Sequence, residues 1–324
     1  MRLPVYLSTA IAQFRSGAGS SAVAAASRQL THRYKAANFT TPAMHSSNDR
    51  SAYLAVRFPA TFAANIRVLS ELHRLAPEAE ISSLLDLGAG PGTSSLAAAE
   101  VFPGIASATL VEADRQWMQF GKQLASQSPH AAVRNAQWLP RDLRDPAQFA
   151  ACDLVVISYA LGELASSALE QVVRQAWHNA QAFLVLIEPG TKRGFAAINA
   201  ARTFLVEQGA GILAPCPHRE ACPMAAGGDW CHFSQRLERT AEHRRMKGGS
   251  LGYEDEKFSY LIATHLQLAP AQSRIVRHPQ RHSGHIQLDL CTKAGVLEKT
   301  TVTKSDKEGY KRARQAEWGD EWQS

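Results

Sequence analysis

The chain has 324 residues, 45% of them apolar and 20% charged, with 35 Lys and Arg against 29 Asp and Glu. That is length and apolar content enough for at least one full core, it allows two domains, and it excludes an intrinsically disordered chain. No apolar run reaches the roughly 20 residues that cross a bilayer, so no membrane partner is expected, and the net charge of +6 suits a nucleic-acid partner without requiring one.

The first acidic residue is Asp49, and Arg2, Arg15, Arg28, Arg33 and Lys35 precede it among serines and alanines. This composition imitates a mitochondrial transit peptide. The spacing of Leu3, Leu7, Ala10, Ile11 and Phe14, and of Val23, Ala26, Leu30 and Tyr34, favours two amphipathic helices instead. "SAYLAVRFPATFAANIRVLSELHRLAP" keeps the same three- and four-residue rhythm, so residues 1–78 read as an N-terminal helical region. From Ile81 the rhythm changes. "ISSLLDLGAG", "SATLVEAD", "CDLVVISYA" and "AFLVLIEPG" are short apolar runs separated by helix-forming segments. Alternation of this kind predicts a doubly wound α/β sheet over residues 79–210. "GFAAINAARTFLVEQG" reads as a helix closed by Gly209, a cysteine-rich segment fills 211–257, and "KFSYLIATHLQL" and "GHIQLDLCTKAG" supply the final strands of the sheet within 258–295. Residues 296–324 form the C-terminal tail, in which "DKEGYKRARQAEWGDEWQS" reads as a short exposed helix.

"LLDLGAGPGTSSLAAA" places Gly88, Gly90 and Gly92 between a strand and a helix. Glycines allow a sharp turn and a close ligand approach, and the helix start offers unpaired N–H groups. No lysine follows, which excludes a P-loop, and Thr93 stands where a dinucleotide GxGxxG needs its last glycine. Asp86-x-Gly88-x-Gly90-x-Gly92 resembles motif I of class I S-adenosylmethionine (SAM) methyltransferases. Glu112, at the next strand end, has the spacing of that family's ribose-binding acid. Asp142 in "PRDLRD" resembles the segment that faces the adenine. Ser158-Tyr159-Ala160-Leu161 ends the fourth strand, where methyltransferases face the methyl group. It lacks the Asp/Asn-Pro-Pro-Tyr/Phe quartet of adenine methylases and the Pro-Cys pair of a covalent pyrimidine mechanism. Glu163 and Tyr159 are the nearest candidates for a base, and no catalytic residue is assigned. The sequence supports SAM binding better than it supports catalysis.

Five cysteines are an odd number, so structural disulfides are not expected and a reducing compartment is. Cys216-x5-Cys222-x8-Cys231 departs from the close pairs of zinc knuckles. Cys291 lies on the last predicted strand, and Cys152 reads as a buried core residue. The loop is rich in Pro and Gly and needs an internal tie, which an iron–sulfur cluster on Cys216, Cys222, Cys231 and Cys291 would supply. His218 and His232 keep zinc as the alternative metal, and unliganded thiols remain the third reading.

"IEPGTKRGF", "LAPCPHREACP", "WCHFSQRLER" and "EDEKFSYLIA", with "SAYLAVRFPATFAA" and "GYKRARQAEWGDEW", resemble the Rsm-twenty-two family of methyltransferase-like proteins of small ribosomal subunit assembly. The resemblance covers nearly the whole chain. It implies a class I SAM-dependent methyltransferase (Rossmann-like) sheet with an N-terminal helical region and a cysteine-rich metal insertion. It also implies a four-iron (4Fe-4S) cluster on four cysteines and binding to small-subunit rRNA, in the bacterial cytoplasm or, alternatively, the mitochondrial matrix. Two basic runs agree with an RNA partner: Arg236, Arg239, Arg244, Arg245 and Lys247, and Arg274, Arg277 and Arg281. A non-catalytic rRNA-binding assembly factor, and a methyltransferase of a protein or small molecule, are the alternatives.

Overall fold

The structure is a computed structural model that describes residues 1–16, 47–145, 148–239 and 251–323. The chain forms two compact units. One holds Met1–His73, Glu80–Ala147 and Gln235–Glu256, the other Arg74–Ala79, Gln148–Ser234 and Lys257–Ser324.

The first unit opens with α1 (Val5–Ser16), α2 (Ser47–Val56) and α3 (Phe58–Leu75). In α1 the expected stripe is real: Leu7, Ala10 and Ile11 are buried while Val5 is exposed. The helix expected from Val23, Ala26, Leu30 and Tyr34 lies outside the described residues. Then β1 (Ser83–Leu87), α4 (Thr93–Val101), β2 (Ser107–Val111), α5 (Arg115–Ser126), α6 (Ala131–Arg134) and β3 (Gln137–Leu139) alternate. The strands run parallel in the order β3-β2-β1, with Leu87 opposite Val111 and Val111 opposite Leu139. Leu84, Leu85, Asp86 and Leu87 are all buried, as a strand covered on both faces requires.

The second unit holds β4 (Cys152–Ser158), a 3₁₀ turn (Leu161–Glu163), α7 (Ser166–Asn179), β5 (Ala180–Pro189), α8 (Lys192–Glu207), β6 (Gly211–Ala214) and α9 (Pro223–Ala226). Two more strands follow, β7 (Phe233–Glu238) and β8 (Tyr253–Thr264), and both cross the sequence boundary between units. β5 is parallel to β4 and antiparallel to β8, and β8 pairs antiparallel with β6. Phe183 through Ile187 are wholly buried.

A second sheet in this unit corrects one expectation. β9 (Ser273–Ile275), β10 (Gln280–Arg281), β11 (His285–Thr292), β12 (Leu297–Thr303) and β13 (Glu321–Trp322) form their own five-stranded sheet, with α10 (Lys307–Gln315) against it. "GHIQLDLCTKAG" therefore extends no α/β sheet. β11 alternates buried and exposed residues, and its inward Ile286, Leu288 and Leu290 pack with Ile275, Val302 and Trp322 around a separate core. Gly295, at φ 77°, turns β11 back into β12. The tail holds the expected helix but is otherwise strand. No helix among the described residues is long and apolar enough to cross a membrane.

Candidate functional site

In the first unit, β1 runs into Gly88, Gly90 and Gly92, whose φ angles of 74°, 54° and 78° lie in the left-handed region that glycine tolerates. The Gly88 and Ala89 N–H groups donate to the Val111 carbonyl, and Gly92 caps α4 without a side chain. A Cβ on Gly90 would meet nothing within 4 Å, so space lies open in front of the loop. Asp86 faces the other way. Its carboxylate is wholly buried and accepts from Ser94 Oγ (2.9 Å), Ser95 Oγ (2.6 Å) and the Ser95 N–H (3.1 Å). Burial pushes it up to about 6 against those hydrogen bonds. Asp86 thus ties β1 to the first turn of α4, directly behind the glycine loop.

Glu112 sits at the loop itself. Its Oε2 accepts from the Gly90 N–H at 2.8 Å and its Oε1 from the Asp114 N–H at 2.7 Å. Asp114 caps α5 and accepts from the buried guanidinium of Arg50 on α2. Burial opposes ionisation there, yet Arg50 and the Gln116 and Trp117 N–H groups hold Asp114 below the usual carboxylate range. An N-terminal helix is thus fastened to the acid turn that carries Glu112, a link that no spacing rule reveals. Asp142 follows β3 and is gripped by Arg144, Nε to Oδ1 at 2.8 Å and Nη2 to Oδ2 at 2.6 Å, which keeps it ionised.

Ser158 ends β4 in the second unit. Tyr159 follows with φ 59°, the one non-glycine residue at positive φ among the described residues, and its N–H donates to the Ile187 carbonyl. Behind this turn stands Glu188, buried at the end of β5, whose Oε1 accepts from the Leu161 N–H at 2.7 Å. Burial pushes Glu188 up to about 8, against N–H groups of the 3₁₀ turn and helped by nearby Glu163. Glu163 is itself raised by burial, with Arg193 opposing. Glu188 thus holds the backbone of the turn that follows Ser158.

The raised Glu188 makes a stability prediction. The folded chain keeps this proton that the unfolded chain loses near the ordinary glutamate value of 4.5, so folding stability falls as pH rises from 4.5 through about 8. Asp86 acts in the same direction only up to about 6. Glu188→Gln, which keeps an acceptor for the Leu161 N–H, is therefore expected to flatten the decline between about 6 and about 8. Urea midpoints across that window check it, and an unchanged slope refutes the assignment.

The thiols converge within the second unit. Cys216 follows β6, Cys222 caps α9, Cys231 precedes β7 and Cys291 lies on β11, yet all four line one cavity. Phe195, Met224 and Val276 pack around Cys222, Cys231 and Cys291. His218 Nε2 is 3.3 Å from Cys291 Sγ. Burial, then the charges of Cys216, Cys222 and Cys291, push Cys231 far up, and Cys291 rises to about 12 from burial and its thiol neighbours. Cys152 stands apart, its thiol on the Ala150 carbonyl. All five cysteines are free of disulfides. Among the described residues no group of three or more His, Cys, Asp or Glu is arranged to hold a metal ion. Of the two histidines kept for zinc, His218 lines the cavity, while His232 stacks on Trp230 and meets its carbonyl.

The basic runs are largely engaged. Arg236 pairs with Asp255 and Arg239 with Glu254 across the β7–β8 hairpin, as opposite charges on facing strands do, and Arg277 pairs with Asp229. Arg274 is 1% exposed, so it is no phosphate donor, a correction that follows from its place inside the cysteine cavity. Arg281 is exposed, and Arg244, Arg245 and Lys247 lie outside the described residues.

A family model described as "Mitochondrial small ribosomal subunit Rsm22" matches residues 47–323. "Rsm22-cox11 tandem protein 2, mitochondrial" of Schizosaccharomyces pombe is 29% identical over 83% of this chain and 42% of its own length. "Ribosome assembly protein METTL17, mitochondrial" of Homo sapiens is 27% identical over 83% of this chain and 61% of its own length. "Ribosome assembly protein RSM22, mitochondrial" of Saccharomyces cerevisiae is 25% identical over 35% of this chain and 28% of its own length. The chain thus spans less than two thirds of the length of these curated relatives. Among solved structures, the magnesium protoporphyrin IX methyltransferase of Synechocystis with bound SAM is 12% identical, covers 73% of this chain and 91% of its own, and has a TM-score of 0.43. An O-methyltransferase family protein of Burkholderia thailandensis is 12% identical over 70% and 61%, with a TM-score of 0.44.

Proposed function

The chain belongs to the Rsm22 family, and from that premise we propose that it is a methyltransferase-like factor of small ribosomal subunit assembly that binds SAM at the glycine loop, small-subunit rRNA, and an iron–sulfur cluster on Cys216, Cys222, Cys231 and Cys291. One observation carries the reading: four thiols from four separate segments meet in one cavity. The donor set is soft, as iron and zinc both require. A four-iron cluster takes one thiolate per iron, and the cavity offers four thiols. Iron and sulfide analysis with a visible spectrum, on protein purified without oxygen, tests it. One stoichiometric zinc in a colourless protein would replace the reading.

The open space at Gly90 and the acid beside it support SAM. Glu112→Ala is expected to weaken SAM binding by about 1–3 kcal/mol, through loss of hydrogen bonds to a charged acceptor. Calorimetry reads the change, and an unaltered affinity removes Glu112 from the site. A non-catalytic assembly factor is the second reading, favoured by Glu188, the buried acid behind the turn after Ser158, being committed to backbone. Methyl transfer from labelled SAM to purified small subunits and to bulk protein separates it from an rRNA methyltransferase and from one acting on protein.

The relatives named for ribosome assembly support an rRNA partner, and their mitochondrial names favour the matrix over the cytoplasm. Replacing Arg244, Arg245 and Lys247 with alanine is expected to weaken rRNA binding and flatten its salt dependence, because fewer counterions are released. An unchanged slope of log affinity against log salt assigns the run to solvent.

A further inference from the structure

Two arginines lie in the wall of the cysteine cavity, and both are buried: Arg202 on α8 is 4% exposed and Arg274 on β9 is 1% exposed. Arg202 Nη2 donates to the carbonyls of His218 (2.9 Å) and Glu220 (2.8 Å), which belong to the loop between Cys216 and Cys222. Its Nε is buried with no hydrogen-bond partner, and its guanidinium lies beside the Cys216 thiol, within hydrogen-bonding reach. Arg274 Nε donates to the Pro215 carbonyl (3.1 Å), just before Cys216, and Nη1 to Gly319 (2.9 Å). Its contact with Glu321 is long, at 3.9 Å, and Glu321 also takes a 2.8 Å hydrogen bond from Arg74.

Carbonyls satisfy the hydrogen bonds of a guanidinium but do not neutralise it. A buried cation without an anion is costly, and the cost is relieved only by negative charge nearby. The groups able to supply that charge beside Arg202 are the thiols of the cavity. Neutral thiols would leave the guanidinium uncompensated, whereas thiolates on a metal centre carry the charge it needs.

We propose that Arg202, assisted by Arg274, is the buried counter-cation of the anionic centre held by the four thiolates, and that it sets the reduction potential of that centre while pinning the Cys216–Cys222 loop. The inference rests on the cluster reading given above. Arg202 and Arg274 are positioning and charge-compensating residues, not ligands. A fixed positive charge favours the more negative, reduced state of the centre, so it raises the potential.

The test is a reductive titration of the anaerobically purified full chain, with one electron per centre supplied by the titrant and the visible or paramagnetic signal as readout. A second readout is the rate of iron release to a chelator. Arg202→Gln removes the charge and keeps a donor for the loop carbonyls. It is expected to move the potential to more negative values and to speed iron release about tenfold, as loss of an outer partner of a metal site typically does. Arg202→Lys retains the charge and loses the two-carbonyl fork, so it is expected to keep a potential near that of the unmodified chain while releasing iron faster. Arg236→Gln, at an exposed pair with Asp255, serves as the control for charge in general. Iron-loaded Arg202→Gln with unchanged potential and release rate overturns this inference alone. A lysine variant that shifts as far as the glutamine variant also overturns it, because charge then does not set the potential. An unmodified chain that carries no iron overturns the cluster reading and this inference together.

Discussion

Cys222→Ser is expected to turn a brown, anaerobically prepared protein colourless and to open the segment between Ala214 and Phe233 to protease. Cys222 is the N-cap of α9 and makes no side-chain capping bond there. Serine is among the preferred N-caps, so the helix itself is not weakened by the change and any loosening reports lost ligation. The segment brings few apolar side chains of its own, chiefly Met224, and its carbonyls take three hydrogen bonds from Arg202 and Arg274. Ligation should therefore supply much of its order. Cys152→Ser is the internal control, because that thiol lies on the Ala150 carbonyl and outside the cavity wall, and its colour should persist. Colour retained in Cys222→Ser sinks the ligand assignment. Colour retained in Cys291→Ser with unchanged metal would move the fourth ligand to His218, the histidine already 3.3 Å from that thiol.

Gly90→Asp is expected to abolish SAM binding while the chain still folds. The φ of 54° costs a side chain roughly 1–2 kcal/mol, and aspartate is among the residues that bear it best. No atom stands within 4 Å of the new Cβ, so the fold has no clash to relieve. The side chain would instead fill the open space, and its charge would face Glu112, which already bonds the Gly90 N–H. Loss of about a hundredfold or more in affinity corresponds to close to 3 kcal/mol. Calorimetry on a variant with unmodified circular dichroism reads it. An affinity within twofold of the original refutes the loop as the SAM site.

What the sequence made visible follows from how each element is covered. β1, β2, β4 and β5 stand out because strands buried on both faces become continuous apolar runs. β3, β9, β10 and β13 span two or three residues each, too few for any period. β12 buries only Val302 along its length, so it reads as polar tail. The glycine spacing was legible, but the hydrogen-bond partners of Asp86 and Glu112 were not, since both are acids at strand ends. The pair Ser94-Ser95 just after the glycines was the available signal, two hydroxyls placed to receive a buried carboxylate. The three clustered cysteines were legible by proximity, whereas the convergence of Cys291 depends on a second sheet that local pattern does not announce. Arg202 and Glu188 were missed because charged side chains are rarely buried, and the usual rule assigns them to solvent.

The place of Cys291 has a consequence for the order of events during synthesis. Cys216, Cys222 and Cys231 leave the ribosome together, while the fourth wall of their cavity arrives only with β11 and is fixed only when β9, β12 and β13 have paired around it. Closure across such a distance is slow compared with helix formation or a short hairpin. A nascent chain halted before β11 would thus carry three thiols and an incomplete receptacle, so any centre held by all four thiols would be completed only after the C-terminal sheet has assembled.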